Sequence, residues 1–320
     1  ENARDEAAHR LEEITAHHGS GSVAVVGGSR STLETLAAER CICRQLGWQG
    51  PSLFTGTEES NAARRAAGHL TPDLAVSLEA LKNADLILVA GADPINEAPM
   101  AALAIRQAVR NGAHVEVVDP RPVTLPFEYA HRPTNTDEIS EILRGLVEHA
   151  IEDASGDVQD LAVRLDQSRR PVVVCGAGKI ASERAVEQAA RLARKLRRAG
   201  KNAGLFFVMT GANTFAACRM AGDPADLETL LLMIEEGTVR ALVVVEADPM
   251  SEYPDLARVV DALAKLDLMV VLDCIDNDTG RAAHVFFPTQ TFFETGGTLI
   301  NNEARIQQAR PAFGGGTPIS

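Results

Sequence analysis

The sequence predicts an α/β protein made of two doubly wound, Rossmann-like units with parallel sheets, related by an internal duplication. Three landmarks recur at a nearly constant offset: Asp93 with Asp248 (155 residues apart), Asp119 with Asp273 (154) and His131 with His284 (153). A near-constant offset over three landmarks is hard to obtain by chance. The two halves of the chain are therefore predicted to follow one structural plan.

Continuous apolar runs predict the strands of both units. These runs are VAVV at 23–26, DLILVA at 85–90, ALVVV at 241–245 and LMVVL at 268–272. Runs without polar alternation are typical of strands that are buried on both faces of a parallel sheet. Amphipathic patterns between the runs predict helices at Thr32–Leu46, Ala98–Asn111, Ala185–Ala199 and Tyr253–Lys265.

The duplication predicts two domains. Residues 1–150 are expected to form an N-terminal helix (Asp5–His17) and the first Rossmann-like unit, and residues 151–320 the second unit with an extended C-terminal strap. The charged segment Glu148–Gln159 is predicted to connect them. The strap starts near Thr289, where the periodicity gives way to Thr, Asn and Gly, and it is expected to lie on the second unit. The start at Glu1 without Met suggests a fragment of a longer chain.

The charge distribution argues against two classes of partner. The net charge is −13 and the pI is about 5.1. No block of Lys and Arg occurs, since the most basic stretch, Arg191–Arg198, is diluted by Leu and Ala. We therefore expect no binding to nucleic acid and no direct contact with a membrane surface. The sequence also contains no apolar run of the roughly 18 residues that a membrane-spanning helix needs.

The cysteines do not form a ligand pattern for a metal or an iron–sulfur cluster. They are Cys41, Cys43, Cys175, Cys218 and Cys274, an odd number without a shared spacing. Cys41 and Cys43 lie in a predicted helix, where side chains two positions apart diverge by about 200°. We expect buried structural thiols in a reducing compartment, and no metal in this chain.

Parallel sheets of this kind bind ligands beyond the carboxyl ends of their strands, so glycines and polar residues at these ends are candidates for binding. The alternative is that they only turn the chain into the next helix. Two familiar nucleotide motifs are absent: Gly176–Lys179 lacks the hydroxyl residue of a phosphate-binding loop, and no G-x-G-x-x-G follows the first strand of either unit. No nucleophile elbow occurs either. A free-standing nucleotide-binding module is therefore the weakest of the functions considered.

Several segments resemble the molybdopterin oxidoreductase superfamily. They are SVAVVGG at 22–28, ADLILVAGADPINEAP at 84–99, VVDPR at 117–121 and FETGGTLINNEARIQ at 293–307. The last is similar to that family's E-x-x-G-T-x-x-N-x-E-G-R-x-Q segment, matched by Glu294, Gly297, Thr298, Asn301, Glu303, Arg305 and Gln307. The following GGTPI is most similar to the molybdopterin-oxidoreductase-like part of the G subunit of NADH:quinone oxidoreductase (complex I). The resemblance implies the fold of the first three domains of formate dehydrogenase and DMSO reductase.

In active members of that family, two such units hold pterin guanine dinucleotides around molybdenum or tungsten. The matching positions here are Gly91, Asp93, Pro94, Asp119, Arg121, Asn213, Asp248 and Asp273. Two departures argue against a bound cofactor. The family's Pro-Gly-[TS]-Asp is replaced by PTNTD at 133–137, and Ala304 replaces the glycine of the tail segment. A Cβ restricts the close approach of the backbone that glycine allows.

The resemblance implies a non-catalytic scaffold within the iron–sulfur G subunit of complex I, with a vestigial pterin-dinucleotide cleft and no cofactor in this chain. The partners would be the N-terminal iron–sulfur part of its own chain and other subunits of a membrane-associated redox complex. Such a complex would lie on the cytoplasmic, inner face of the cell membrane. The alternative is a fragment of an active formate dehydrogenase-like enzyme that binds a molybdopterin guanine dinucleotide.

Overall fold

Parallel strands and the helices between them account for most of the computed structural model, which describes residues 2–148, 156–178, 180 and 182–314. The strands are β1 (Val23–Gly27), β2 (Gln49–Ser52), β3 (Leu86–Ala90), β4 (His114–Val118), β5 (Ala130–Arg132), β6 (Pro171–Gly176), β7 (Gly204–Val208), β8 (Ala241–Val245), β9 (Leu268–Asp273), β10 (Val285–Pro288), β11 (Gly297–Ile300) and β12 (Ile306–Ala309). The helices are α1 (Asn2–His18), α2 (Leu33–Leu46), α3 (Thr57–His69), α4 (Leu78–Lys82), α5 (Pro94–Glu97), α6 (Pro99–Arg110), α7 (Thr136–Glu148), α8 (Gly156–Gln167), α9 (Glu183–Arg198), α10 (Thr214–Met220), α11 (Leu227–Glu235), α12 (Pro249–Glu252), α13 (Leu256–Leu263), α14 (Asp278–Arg281) and α15 (Phe292–Thr295).

The strands form two parallel five-stranded sheets of corresponding design. One sheet has the order β10–β9–β8–β1–β2 and the other β5–β4–β3–β6–β7. β8 and β3 are the central strands, and Asp248 and Asp93 follow them at equivalent places. The predicted fold class, two parallel α/β units with a shared plan, is confirmed.

The two halves of the chain exchange strands between these sheets. β1 and β2 pair with β8–β10, and β6 and β7 pair with β3–β5. Unit 1 accordingly comprises the described residues within 1–60, 211–301 and 306–320, and unit 2 those within 61–210 and 302–305. This corrects the predicted division into 1–150 and 151–320, whose boundary and connector fall largely outside the described residues. An offset identifies equivalent segments, but it does not say which copy of a strand joins which sheet.

Apolar side chains cover both faces of the sheet in unit 1. Ala24 and Val26 pack in one cluster with Leu230 of α11 and Val259 of α13. Val23 and its neighbours pack on the other face against α1. Burial on both faces explains why the strands lack polar alternation.

The C-terminal segment forms an antiparallel hairpin of β11 and β12 rather than an extended strap on the second half of the chain. β11 contacts α10 and also α2, which belongs to the first half. A capping box at α15 precedes the hairpin, in which Thr291 and Glu294 satisfy each other's backbone N–H groups. Strands β11 and β12 therefore belong to unit 1, which contains segments of both halves.

Candidate functional site

The crevice between β1 and β8 is the natural ligand position in unit 1. The chain leaves β1 toward β2 on one side and β8 toward β9 on the other, so the loops after these two strands diverge. Of the eight candidate residues, Asn213, Asp248 and Asp273 belong to unit 1. The other five belong to unit 2, so the candidates form two groups rather than one.

Asn213 holds three segments of unit 1 together. Its backbone N–H donates to Ser29 O (2.7 Å) and its side-chain Nδ2 donates to Ser31 O (2.8 Å), both in the turn after β1. Its Oδ1 accepts from the N–H of Ile300 in β11 (2.8 Å), and the residue is fully buried. Both ends of the amide are therefore already engaged within the protein.

Asp273 is fully buried at the end of β9 and pairs with Arg30 from the turn after β1. The Arg30 Nη2 to Asp273 Oδ2 distance is 3.0 Å, and the N–H of Ile275 donates to Oδ1 (3.1 Å). The carboxylate of Asp273 thus carries a charge that Arg30 and a backbone donor balance.

Asp248 follows β8 but does not cap the helix after it. Its Oδ1 accepts from Thr279 Oγ1 (2.5 Å) on α14, and Thr279 in turn accepts from the N–H of Met250 (3.2 Å). The buried threonine hydroxyl thus stands between the carboxylate and the first turn of α12. The equivalent Asp93 caps directly, since its Oδ1 accepts from the N–H groups of Ile95 and Asn96.

In unit 2, Asp119 and Arg121 form a closed ion cluster with Glu97. Arg121 donates from Nε and Nη2 to the two oxygens of fully buried Asp119 (2.9 and 2.8 Å). Its Nη1 donates to Glu97 Oε1 (2.6 Å). The hydrogen bonds to Asp119 and then Glu97 raise the pKa of the Arg121 guanidinium above its ordinary value. Each of the three nitrogens of the Arg121 guanidinium thus donates to a carboxylate.

Gly91 and Pro94 shape the loop after β3. Gly91 has a φ of +61°, in the left-handed region that favours glycine, and its N–H donates to Val118 O (2.9 Å). Pro94 is buried at the first position of α5, where its missing N–H costs no helical hydrogen bond. Both residues thus have a structural role in the turn.

A cleft of about 780 Å³ opens in unit 1 beside this crevice. Its lining includes both acidic and basic side chains together with Phe292 and Leu299 of the C-terminal segment; the charged members are Arg30, Glu34, Glu246 and Arg310. Glu34 is engaged with the hairpin: it accepts from the N–H and the hydroxyl of Thr298 (3.0 and 2.5 Å), and these bonds lower the pKa of its carboxyl. The hairpin thus forms one wall of the cleft.

Sequence reasoning missed Glu39, which lies behind this crevice. The residue is 4% exposed, and neither carboxyl oxygen has a hydrogen-bond partner among the described residues. Its carboxyl packs against Gly27, where a Cβ would lie 2.4 Å from Oε2. Burial, and to a lesser degree the charge of Glu246, raises the pKa of Glu39 to about 8. The sequence did carry a signal for this residue, because Glu39 falls on the same buried stripe of α2 as Leu36 and Cys43.

Glu246 was also missed. It follows β8, lines the cleft and has a φ of +49°. The 155-residue offset that pairs Asp93 with Asp248 pairs Gly91 with Glu246, so a glutamate stands where the other unit has a left-handed glycine. The offset could have revealed this residue.

The chain matches one known protein family along nearly its whole length. A profile of the molybdopterin oxidoreductase family matches residues 1–315. The chain belongs to the molybdopterin oxidoreductase family. The resemblance found in the sequence is confirmed.

Curated relatives of this family member are named as the G subunit of NADH-quinone oxidoreductase. The Pseudomonas putida protein is 28% identical over 274 residues, which cover 74% of this chain and 30% of the relative. The Shigella flexneri protein is 25% identical over an alignment that covers 90% of this chain and 35% of the relative. The chain thus spans about a third of the length of these relatives.

Solved structures show the same fold at low sequence identity. A chain of the formyltransferase/hydrolase complex from Methylorubrum extorquens, solved with methylofuran, has a TM-score of 0.66 at 17% identity and covers 95% of this chain and 90% of its own. Acetylene hydratase from Pelobacter acetylenicus has a TM-score of 0.62 at 13% identity, covering 98% and 55%. These similarities support the fold of this family member.

Metal-binding clusters and membrane-spanning helices are both absent from the part of the chain that the structure describes. No group of three or more His, Cys, Asp or Glu side chains in it is placed to hold a metal ion. None of the helices there combines the length and the apolar composition that crossing a membrane requires.

Proposed function

We propose that this chain is a non-catalytic scaffold segment of the iron–sulfur G subunit of an NADH:quinone oxidoreductase, with a vestigial dinucleotide cleft. The naming of the curated relatives supports the assignment to the G subunit. The partners would be the iron–sulfur part of the same subunit and other subunits of the complex. The complex would lie peripherally on the inner, cytoplasmic face of the cell membrane.

One observation supports the scaffold role above all. The polar side chains at the family's cofactor positions are engaged with groups of the chain itself. Arg121 is held by Asp119 and Glu97, and Asn213 holds the turn after β1 to the hairpin. A phosphate or a guanine would have to break these buried contacts, and each buried group left unpaired would cost free energy. On this argument the residues do not fit a pterin dinucleotide.

The proposal is tested on the assembled complex that contains this chain. We expect iron but neither molybdenum nor tungsten by mass spectrometry of the metals, and no fluorescent pterin after oxidative release. A purified molybdenum-containing formate dehydrogenase serves as the positive control for both measurements. Stoichiometric molybdenum or tungsten with pterin would refute the scaffold role and favour the active formate dehydrogenase-like alternative.

A second measurement distinguishes a structural role of the candidate residues from a role in a functional site. Replacing Arg121 by Met should lower thermal stability, because Asp119 then lies buried without its cation. Electron transfer from NADH to quinone, per assembled complex, should stay close to that of the wild type. A loss of specific activity without a loss of stability would contradict the proposal.

A further inference from the structure

The duplication allows two acidic residues of unit 1 to be compared with the residues at the equivalent positions of unit 2. The side chains of Thr32 and Ser182 cap α2 and α9 in the same way. Each hydroxyl accepts a hydrogen bond from the backbone N–H of the residue three positions later. Seven residues after each cap lie Glu39 and Ala189, both buried. The fold thus accepts a small apolar residue at the place of Glu39. In the same way, Gly91 shows that a glycine suits the place of Glu246.

Both acidic residues are unfavourable for the folded state. Glu39 is a carboxyl group removed from water without a hydrogen-bond partner among the described residues. Glu246 holds a left-handed backbone, which residues other than Gly, Asn and Asp rarely adopt. The fold does not require these two costly residues: Glu246 follows β8, and Glu39 packs against Gly27 at the end of the neighbouring β1. Their placement together indicates a role in function.

Their position indicates what that role is. The crevice between β1 and β8 is where a sheet of this kind receives phosphate groups on backbone N–H donors, through close approach of the backbone. Glu246 lies at this point, and its backbone oxygen is 3.1 Å from where a Cβ of Gly28 would stand. Glu39 fills the space behind Gly27. The nearby cation Arg30 is paired with buried Asp273.

We propose that Glu246, backed by Glu39, makes the strand-end crevice of unit 1 reject phosphate-bearing ligands. The carboxylate of Glu246 repels an anion, and its side chain prevents the close approach that glycine would allow. Glu39 supports this arrangement by filling the space beneath the turn, against Gly27. This inference rests on the proposed loss of the dinucleotide and names the residues that maintain it.

The test measures the binding of inorganic pyrophosphate by ³¹P NMR line broadening, on the purified protein and its variants. Glu246→Asn and Glu246→Asp form a matched pair, because both side chains tolerate the left-handed backbone and only Asp keeps the charge. We expect Glu246→Asn to bind pyrophosphate at least about tenfold more tightly than Glu246→Asp, which should resemble the wild type. Glu246→Gly should bind at least as tightly as Glu246→Asn.

Glu236→Gln removes a carboxylate before β8, at the opposite end of that strand, and should leave binding unchanged. Circular dichroism and thermal unfolding check that each variant is folded. Equal binding by the Asn, Asp and Gly variants, or tight binding by the wild type, would overturn the exclusion by Glu246. Such a result leaves the scaffold role standing, which only metal or pterin in the assembled complex would refute.

Discussion

Asp119 and Asp273 occupy the same place in the two sheets, each fully buried at the carboxyl end of the strand beside the central one, and each is neutralised by an arginine from a different source. Arg121 lies two residues after Asp119, whereas Arg30 comes from a turn 243 residues away from Asp273. The duplication has kept the buried carboxylate in both copies. The arginine that pairs with this carboxylate comes from a different part of the chain in each copy.

The buried pair predicts a large effect for Arg121→Met. Removing the guanidinium leaves the carboxylate of Asp119 buried without compensation, which should lower the free energy of unfolding by about 3 kcal/mol. Arg281→Met is the control: Arg281 is 62% exposed and pairs with Asp276 and Asp278, so its loss should cost less than about 1 kcal/mol. Urea unfolding of both variants measures the two values. Equal costs would contradict the role given to the buried pair.

The sequence predicted the strands β1, β3, β8 and β9 and the helices α1, α2, α6, α9 and α13 because their signals are local. The buried run ALVVV became β8, and the helix expected at Thr32–Leu46 begins after its Thr32 cap. The division into units could not be predicted in the same way. β1 and β6 carry the same pattern, so either could have paired with β3 or with β8. Their pairing is decided by long-range packing, which no local signal records.

Glu39 predicts a specific dependence of stability on pH. The pKa of its carboxyl is raised from 4.5 to about 8 in the folded protein. The folded state therefore holds a proton that the unfolded state releases, and the contribution of Glu39 to stability falls as the pH rises from about 4.5 to about 8. Glu39→Gln does not titrate, so this loss is absent. Its free energy of unfolding should therefore rise relative to that of the wild type by about 3–5 kcal/mol between pH 4.5 and pH 9.

Urea unfolding of the wild type and Glu39→Gln at pH 4.5, 7 and 9 measures this difference. Glu236→Gln, which changes an exposed carboxylate, should follow the wild type at all three values. A constant difference between Glu39→Gln and the wild type across this range would show that Glu39 titrates normally.

The cysteines should differ sharply in reactivity. Cys43 and Cys175 are buried, and burial raises the pKa of each thiol to about 12, so almost no thiolate is available at neutral pH. Cys41 is exposed. Iodoacetamide followed by peptide mass spectrometry should modify Cys41 in the native protein and Cys43 and Cys175 only after unfolding in urea. Rapid native modification of Cys43 would contradict the packing of α2 against the sheet.

The candidate site was only partly predictable from the sequence. Asp93, Asp119 and Asp273 were found because each follows a recognisable strand. Arg30, the partner of Asp273, was not found, since it reaches Asp273 through the fold alone. Asp248 shows the limit of arguing from equivalence: the copy of a capping residue binds Thr279 instead, because α14 brings a buried hydroxyl to it.

Asn213 gives a direct test of how the C-terminal hairpin is held. Its Nδ2 donates to the turn after β1 and its Oδ1 accepts from Ile300, so Asn213→Ala removes the partner of the buried Ser31 carbonyl and of the half-buried Ile300 N–H. We expect a loss of about 2–3 kcal/mol in the free energy of unfolding. Asn213→Asp keeps the acceptor for Ile300 but places a carboxylate against the carbonyl of Ser31, so it should cost at least as much.

Hydrogen exchange distinguishes a loosened hairpin from general destabilisation. In Asn213→Ala, the N–H groups of β11 and β12 should exchange faster by a larger factor than those of β8 and β9 in the same unit. Glu34→Gln provides a milder comparison, because it weakens the bonds to Thr298 at the start of the hairpin without removing the side chain. A uniform increase across β8, β9, β11 and β12 would mean that Asn213 supports the unit as a whole. Unchanged exchange in the hairpin would show that its attachment to unit 1 does not depend on this amide.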